Sequence, residues 1–557
     1  MYLSKNRLRL TSVFIIPAIA LFFIAPVSAA TTPLSQFATV PVLHVSHVSP
    51  QVTLLDPSTT SSSLVGGVPF CYSGSLGTIM CYPASFLQKA YNFPATSGWK
   101  GLDGTGSTIV IVDAFGSPTI QSDLDTYDST FGLPSATVTI LCGPSWTGSS
   151  TDICPVNTIA DLSTAPNAAL CGATGWAEET TLDVTMAHSL APGAHIVLVV
   201  ANDCYDSSLY GAEQAVIAQH KFDGSIMTQS FGEPDDLVTC LTVDPVSLQC
   251  TSNDPTLLNL PNSVFQSATM HRWTILASTG DDGADEDVRF DGNGQLMPSF
   301  PATNPLVLGV GGTQGNPYGG QFGSFPGKGG VFACAAGAIC NTGLVVINGG
   351  ANGCGTALRP AVPSSCYPVG YGGEGVWNEY TSFGGYLGSG IGRSSGGGVS
   401  TLYSKPFYQF FTPRTVTTFL GAQMSTTTGR NSPDVSFNAA AQGGVLAYLG
   451  FVGAWAVFSG TSAASPAWAA IIALLNQANH RPVGFINPQI YLLGTAFSFL
   501  HGHSNTAPFH DITSGENSDL AGDFGVDGYN AQTGYDLATG WGTPNVSNFI
   551  HDILPLV

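Results

Sequence analysis

A turn of small residues near the C-terminal end of the chain presents a hydroxyl group that could attack a carbonyl carbon. Residues 459–466 read Ser-Gly-Thr-Ser-Ala-Ala-Ser-Pro, and a long apolar run follows. The pattern predicts a strand end, a turn and a helix, with Ser462 at the helix N-terminus. Unpaired N–H groups and the positive end of the helix dipole stabilise a developing oxyanion at such a position. Ser462 is therefore a candidate nucleophile, provided that a base can reach it.

A hydrolytic serine usually has a histidine as its base. The chain contains 11 histidines, and none lies in a catalytic-looking turn with a partner aspartate. His501 and His503 follow the serine in a polar loop, and His188 ends a predicted helix, where it complements the dipole. A subtilisin-type peptidase with a Ser-His-Asp triad also needs a His-Gly-x-His segment before the serine, which this sequence lacks.

Two carboxylates, Glu179 and Asp183, lie four positions apart in a predicted helix and therefore share one of its faces. Like charges at this spacing destabilise a helix unless they share a proton or face a cleft. A shared proton raises one pKa and lowers the other, which is the setting for a base that works in acid. A solvated acidic face has the same spacing. The neighbouring Glu178 falls on another face.

A third carboxylate, Asp281, directly follows an apolar strand, where a parallel sheet delivers its strand ends to a cleft. A carboxylic acid kept protonated at this place could donate a hydrogen bond to an oxyanion. Taken alone, the Gly-Asp-x-Gly pattern around Asp281 is also that of an ordinary turn.

Strands and helices alternate around these residues. This order, with Gly-rich turns from strand to helix, predicts an α/β fold with a doubly wound, mainly parallel sheet and helices on both faces. A loop-rich, Gly- and Cys-rich insertion is expected over 315–398. The predicted strands are 107–113, 195–201, 225–230 and 273–278, and the predicted helices are 174–190 and 211–219.

The charge balance argues against several partners. The 557 residues include 15 Lys and Arg against 36 Asp and Glu, which gives a net charge of −21. This excess of negative charge disfavours nucleic acid and anionic membranes. Only 9% of the residues are charged, against about 25% in typical domains, so few cations repel one another once the carboxylates are protonated. The composition indicates acidic surroundings, or alternatively a polar surface that is merely uncharged.

The N-terminus has the pattern of an export signal. Basic residues precede an apolar stretch at 13–27, and small residues follow it, so we expect a signal peptide over 1–29 or, alternatively, an uncleaved anchor. Residues 30–85 are rich in Ser, Thr, Pro and Val and form a short leader or pro-segment. The 12 cysteines of an exported chain suggest disulfides. The simplest pairing joins near neighbours: Cys71 with Cys81, Cys142 with Cys154, Cys171 with Cys204, Cys240 with Cys250, Cys334 with Cys340 and Cys354 with Cys366.

The order Glu179, Asp183, Asp281 and Ser462, in these local contexts, resembles the sedolisin family of serine-carboxyl peptidases. The resemblance runs from about residue 86 to the C-terminus. Further segments that match the family's motifs are 190–196, 300–313, 395–400, 432–436, 482–488, 509–515 and 534–542.

The resemblance implies a subtilisin-like fold with a parallel seven-stranded sheet and assigns a role to each residue. Ser462 would be the nucleophile, Glu179 its base, Asp183 the residue that orients Glu179, and Asp281 the protonated oxyanion donor. The implied protein is a secreted, acid-active serine-type endopeptidase that acts on polypeptides, most simply as a monomer, without nucleic acid or stable membrane association. The alternative from another class is a catalytically inert secreted or cell-surface binding protein on the same fold.

The resemblance also implies one calcium ion in the region 505–545 of a peptidase domain that spans 86–557. Asp511 and Asp536 match the family's carboxylate ligands, and Ile512 and Gly534 match its carbonyl ligands. The remaining family carbonyl comes from a glycine, and Gln532 takes that position here. Oxygen donors of this kind suit calcium.

The sequence departs from the family pattern at three places. Phe231 stands in a segment that often reads Ser-Trp-Gly in the family, so any role of that tryptophan is lost or changed. Asp113 stands where some members carry a glutamate in an extended proton network, or it simply ends its strand. The leader over 30–85 is too short for the large prodomain that most members have.

Overall fold

Seven parallel strands form the centre of the structure, which is a computed structural model. They are β1 Thr108–Ala114, β2 Thr139–Cys142, β3 His195–Ala201, β4 Ile226–Gln229, β5 Thr274–Ser278, β6 Leu308–Gln314 and β7 Val435–Asn438. Their order across the sheet is β2-β3-β1-β4-β5-β6-β7, and every neighbouring pair is parallel. A short strand, Gly375–Val376, adds to the end of β6 in the antiparallel sense. The predicted seven-stranded parallel sheet is confirmed.

The structure describes the greater part of the chain. The described residues belong to a compact unit that spans Val42–Val557. They are residues 45–48, 51–56, 70–73, 77–94, 101–243, 250–286, 295–315, 331–334, 338–341, 367–368, 371–379, 393–441, 443–500, 506–519 and 525–557. The predicted signal peptide and most of the predicted insertion over 315–398 lie outside them.

Helices cover both faces of the sheet, and two of them carry predicted site residues. The principal helices are α1 Ile120–Phe131, α2 Ala173–Leu190, α3 Asp206–Ala218, α4 Asn259–Met270 and α5 Thr461–Asn479. Helix α5 is apolar on every side, which is typical of a helix buried in a large core, and it packs against α2 and against strands β4 to β7. Helix α3 begins five residues before the predicted start, because its first turn carries polar residues that lack the apolar period.

Strands from the N-terminal part of the described chain join a second, five-stranded sheet. Its order is Gln51–Leu54, Ala454–Ser459, Gly444–Leu449, Gly77–Tyr82 and Phe70–Ser73. Strand Ala454–Ser459 runs directly into the turn that precedes Ser462, so residues 51–54 pair with the strand that delivers the candidate nucleophile. Part of the segment that the sequence assigns to the leader thus belongs to this sheet.

The remaining elements are short and peripheral. Helices are Ala84–Ala90, Asp161–Thr164, Ala168–Cys171, Asn487–Leu500 and Val546–Ile553, with 3₁₀ turns at Leu237–Thr239, Pro255–Leu258, Phe407–Gln409 and Leu554–Leu556. The other strands are Glu233–Pro234, Cys240–Val243, Cys250–Asn253, Ser299–Phe300, Val331–Cys334, Ala338–Asn341, Tyr367–Pro368, Gly398–Ser404, Thr415–Thr417, Gln423–Ser425, Gly429–Ser432, Phe509–His510 and Thr543–Pro544. Among the described helices, none has the length and apolar character needed to cross a bilayer.

Disulfide bonds join the near neighbours that the sequence pairs. Four of the six expected bonds are present: Cys71–Cys81, Cys142–Cys154, Cys171–Cys204 and Cys240–Cys250. The other two pairs fall outside the part of the chain whose side chains are described.

A buried ion pair fixes the start of β7 against its surroundings. Nη2 of Arg430 lies 2.6 Å from Oδ2 of Asp434, and neither side chain is exposed. The Asp434 carboxylate also accepts the N–H of Gly309 at 2.7 Å and the hydroxyl of Tyr491 at 2.6 Å. The desolvation of both charges is therefore offset by several hydrogen bonds at once.

We predict that Asp434→Asn lowers the free energy of unfolding by about 3–5 kcal/mol, because it leaves the buried Arg430 without a counter-ion. The urea midpoint should fall accordingly. Asp125→Asn is the matched control, since Asp125 is exposed and contacts only Gln121 in its own helix, and it should change stability by less than about 0.5 kcal/mol. Equal midpoints for the two variants would show that the ion pair contributes nothing to stability.

Candidate active site

A glycine makes the turn before Ser462 possible. Gly460 has φ +122°, a conformation that residues with a Cβ rarely adopt, and a Cβ at this position would lie 2.6 Å from Oδ2 of Asp281. Helix α5 begins at the next residue, so Ser462 lies in the first turn of a long helix with its backbone N–H unpaired by the helix ladder. The turn therefore brings the serine and a carboxyl group together.

Asp281 follows β5 and lies against this turn. Its Oδ1 accepts the backbone N–H of Thr461 at 2.7 Å and the Thr461 hydroxyl at 2.9 Å. The same hydroxyl lies 3.1 Å from the carbonyl oxygen of Gly280. Because Oδ1 serves as the acceptor, a proton on the Asp281 carboxyl would reside on Oδ2, the oxygen that faces Gly460.

Glu179 lies on α2 and is completely buried. Burial raises the pKa of the Glu179 carboxyl well above its usual range, the negative charge of Asp113 raises it further, and hydrogen bonding by the Ser462 hydroxyl lowers it. Among the described residues, no group forms a hydrogen bond of standard geometry with either Glu179 oxygen. Catalytic contacts are commonly long or poorly aligned when no substrate is bound. The structure thus brings Glu179 to the serine that needs a base.

Asp183 lies one helical turn after Glu179 and is equally buried. Its Oδ1 accepts the hydroxyl of Ser230 at 2.9 Å, and the same hydroxyl lies 3.4 Å from the carbonyl oxygen of Ser462. Burial raises the pKa of Asp183, and the charges of Asp113 and Glu179 raise it further. Ser230 therefore connects the carboxyl pair on α2 to the helix that carries Ser462.

A third buried carboxyl, Asp113, completes this cluster. It lies near the end of β1 without solvent exposure, and burial raises its pKa to about 7, partly offset by a hydrogen bond from Thr180. Since Asp113 raises the pKa of both Glu179 and Asp183, the three carboxyls interact directly through a water-poor interior. They cannot all be ionised together, so the cluster holds protons where exposed carboxylates would have lost them.

The sequence leaves the role of Asp113 open, and it gives no indication that Ser230 is a positioning residue. The signal for Asp113 was its place at the end of an apolar strand, which is a common site for buried functional groups in parallel sheets. The Ser230 hydroxyl had no signal of its own. Glu178, next to Glu179, is only partly buried, and burial raises its pKa to about 7.

The predicted histidine alternatives do not replace these carboxyls. His188 is buried at the end of α2, where its Nε2 lies 3.0 Å from Oδ1 of Asp128 on α1. The same Nε2 lies 3.1 Å from the carbonyl oxygen of Pro134, so His188 contacts groups outside its own helix. His501 and His503 lie outside the described residues.

A cleft of about 170 Å³ opens beside Ser462 and Asp281, and a segment of the chain's own N-terminal part lies in it. The backbone of His47 pairs with Gly232 in the antiparallel sense, donating at 3.0 Å and accepting at 3.3 Å. The hydroxyl of Ser46 donates to Asp206 at 2.9 Å. The edge beside Gly232 can therefore hold an extended polypeptide by its backbone.

The predicted metal ligands near the C-terminus come together in one turn. Both Asp511 oxygens accept the N–H of Gly534 at 3.1 Å, and Oδ2 of Asp536 accepts the N–H of Gln532 at 3.0 Å. Burial raises the pKa of Asp536 to about 7, and the charge of Asp511 adds to this effect. Ile512 follows Asp511 and is buried.

The carboxylates of Asp511 and Asp536 are close enough for the charge of Asp511 to raise the pKa of Asp536. A hard divalent cation prefers oxygen ligands and would neutralise both carboxylates. The two carboxylates therefore fit calcium.

Comparison with known proteins identifies the family. Residues 167–498, more than half of the 557 residues, match the profile of the subtilase family. Kumamolisin from Bacillus sp. (strain MN-32) is 27% identical over 469 residues, which is 84% of this chain and 63% of kumamolisin. Sedolisin from Pseudomonas sp. (strain 101) is 28% identical over 327 residues, which is 58% of this chain and 42% of sedolisin. The chain thus spans less than two thirds of the length of these relatives.

A solved structure supports the fold. Pseudomonas sedolisin, described as a serine-carboxyl proteinase complexed with two molecules of pseudo-iodotyrostatin, aligns with a TM-score of 0.57 at 22% identity, covering 86% of this chain and 99% of that one. At this level of identity the likeness concerns the fold alone. The chain belongs to the subtilase family, and its relatives place it with the sedolisins.

We predict that Asp113→Asn makes stability less sensitive to pH. A carboxyl whose pKa is raised to about 7 on folding stabilises the native state below its unfolded pKa, and this contribution is lost as the pH rises through the folded pKa. The wild type should therefore lose on the order of 3 kcal/mol more than the variant between about pH 4 and pH 7. Thermal unfolding at both pH values measures the difference.

Asp152→Asn is the control for this experiment. Asp152 is exposed, and a hydrogen bond from Ser145 is the main cause that lowers its pKa to about 2, so the native carboxylate stays ionised across the whole range. Its variant should follow the wild type closely. If Asp113→Asn also follows the wild type, burial does not raise the pKa of Asp113.

Proposed function

We propose that this member of the sedolisin family is a secreted, acid-active serine-type endopeptidase that hydrolyses peptide bonds of polypeptides. The observation that carries the proposal is that the buried Glu179 carboxyl lies beside the Ser462 hydroxyl. Among the described residues of this site, a carboxyl and not a histidine occupies the position of the base. Asp281, on the other side of the serine turn, supplies the second requirement, a donor for the oxyanion.

In the proposed reaction, the Ser462 hydroxyl attacks the carbonyl carbon of the scissile bond as its proton passes to Glu179. Negative charge develops on the carbonyl oxygen, where the N–H of Ser462 and a proton on Asp281 can donate hydrogen bonds. Glu179 then transfers its proton to the leaving amine, which leaves an acyl-enzyme. A water molecule, deprotonated by the same carboxylate, attacks this ester. Glu179 returns the proton to the Ser462 oxygen as the second product leaves.

Asp183 and Asp113 serve Glu179 in this scheme. Asp183 is fixed by Ser230 and shares a proton with Glu179, so the charge that appears and disappears during the reaction is spread over the pair. Asp113 raises the pKa of both, which increases the basicity of Glu179 towards the serine proton. Because the three carboxyls share protons, the first of them to ionise does so at a lower pH than the others. We propose that this charge is available to Glu179 in acid, where a histidine base would be protonated.

The proposed substrate is an extended polypeptide that pairs with the backbone of Gly232. The pairing of His47 with Gly232 supports this mode, because it uses hydrogen bonds that any residue can form. The segment at His47 must leave before a substrate can enter, so we propose that this part of the leader over 30–85 is displaced or cleaved. The strands Gln51–Leu54, Phe70–Ser73 and Gly77–Tyr82 would then stay in the five-stranded sheet. Assays should therefore use protein that has been incubated in acid beforehand.

We further propose that one calcium ion binds to Asp511 and Asp536 and to the carbonyl groups of Ile512, Gln532 and Gly534. The ion would neutralise the two carboxylates and stabilise the C-terminal turn. No step of the peptide hydrolysis passes through it. Secretion by way of residues 1–29 and a monomeric state complete the proposal, and the four disulfide bonds suit an oxidising compartment.

We predict that Ser462→Ala and Glu179→Gln each lower kcat/KM for a peptide substrate in acid by more than about 1000-fold. The first variant removes the group that gives up the transferred proton, and the second removes the group that accepts it. Glu178→Gln is the matched control, since it removes the adjacent carboxyl on another helix face. Its activity should stay within about tenfold of the wild type, because the charge of Glu178 raises the pKa of Glu179 less than the charge of Asp113 does.

Activity that survives either Ser462→Ala or Glu179→Gln contradicts the proposed catalytic roles. Complete inactivity of the wild type after acid incubation, in protein that is folded by circular dichroism, would favour the inert binding protein instead.

We predict that chelation of calcium by EGTA near neutral pH lowers the temperature of thermal unfolding, and that added calcium restores it, because an ion that binds only the native state stabilises it. Asp536→Asn should abolish the calcium-dependent shift. Asp527→Asn is the control from the same region, where Asp527 accepts hydrogen bonds from Thr418 and from the N–H of Leu420, and it should keep the shift. An Asp536→Asn variant with an unchanged shift contradicts the assigned ligand.

A further inference from the structure

Two histidines and one aspartate converge on the surface at the edge of the sheet opposite the cleft. His220 and Asp223 lie in the connection between α3 and β4, and His271 lies in the connection between α4 and β5. Strands β4 and β5 are paired, so these two connections run side by side. The N–H of Gly224 donates to the carbonyl oxygen of His271 at 2.9 Å, which holds the connections together through their backbones.

The three side chains place one potential ligand atom each in a small volume. Nδ1 of His220 lies 3.5 Å from Oδ1 of Asp223, and Nδ1 of His271 lies 3.2 Å from Oδ2 of the same carboxylate. The ring centroids of the histidines are 4.3 Å apart. The three ligand atoms all lie within 4.8 Å of one another. Small side-chain rotations bring such a set to the bond lengths of about 2.0–2.2 Å that zinc requires.

Hydrogen bonding accounts for one of the two histidine contacts, since Nδ1 of His271 lies at hydrogen-bond distance, 3.2 Å, from Oδ2 of Asp223. The contact of His220 with Asp223 is too long for a good hydrogen bond. If both rings were protonated, two cations would lie next to each other with a single carboxylate between them. Neutral rings beside a divalent cation remove that repulsion, and they leave the carboxylate to offset part of the ion's charge. Two imidazoles and one carboxylate are ligands that suit zinc and its neighbours in the first transition row.

Two of the basic residues nearby have other contacts. Nζ of Lys221 lies 5.0 Å from the ring centre of Phe222, and Nη2 of Arg272 donates to the carbonyl oxygen of Pro482 at 2.6 Å. His480 and Arg481 line a surface depression that Asp223 also borders. The net charge of −21 makes the whole molecule attractive to cations.

We propose that His220, Asp223 and His271 bind one divalent transition-metal ion, such as zinc, with water at the remaining positions. The exposed fractions of the three side chains, 57%, 41% and 31%, leave room for that water. The ion joins the connections that lead into β4 and β5. At their other ends, these strands lead to Ser230 and Asp281, so the ion braces the two strands that carry parts of the cleft.

Titration of zinc chloride into the full chain near neutral pH, with calcium in excess, tests this proposal by calorimetry. Calcium prefers oxygen ligands and should not compete. We expect one zinc ion per chain and a higher temperature of thermal unfolding with zinc. His220→Ala and His271→Ala should each weaken binding by more than about tenfold and abolish the thermal shift.

His551→Ala is the matched control. His551 is exposed and lies 2.7 Å from Asp552, but this pair has no second histidine within the part of the chain that the structure describes. The variant should bind zinc as the wild type does. Absence of zinc binding in the wild type overturns the proposal, and so does binding that remains unchanged in both His220→Ala and His271→Ala. Neither result bears on the peptidase proposal, because the zinc site lies apart from Ser462.

Discussion

Burial of Asp113, Glu179 and Asp183 in a water-poor interior, together with the repulsion among their charges, is the constraint on which the site depends. Three carboxyls at this distance from solvent cannot all carry charge, so some of them keep their protons at a pH at which exposed carboxyls are ionised. The same repulsion makes the charged cluster a strong base. A base of this kind and a stability that decreases towards neutral pH therefore have one physical origin.

The fold holds this cluster in place against its own repulsion. Helix α2 carries two of the carboxyls and packs against α5, which carries Ser462, while β1 delivers the third from the sheet. Ser230, at the end of β4, connects Asp183 to the backbone of Ser462. Because the three elements are rigid and buried, the carboxyls cannot move apart when they ionise, and protons have to move instead.

The parallel sheet and the residues that meet at its edge could be predicted from the sequence, because apolar strands and small-residue turns leave strong local patterns. The spacing of Glu179 and Asp183 placed them on one helix face, and the turn at Gly460 placed Ser462 at a helix start. The buried state of Asp113 and the contact of Ser230 with Asp183 depend on how distant segments pack, which no local pattern encodes. For the same reason, the pairing of His47 with Gly232 and the approach of His271 to His220 became visible only in three dimensions.

The dependence of kcat/KM on pH, measured with one peptide substrate from about pH 3 to 8, tests the central claim most directly. A carboxylate base beside a protonated Asp281 predicts a bell-shaped profile with its maximum in acid and a fall in activity towards neutral pH. A profile that rises to a plateau near pH 7 to 8, as a histidine base would give, would contradict the account.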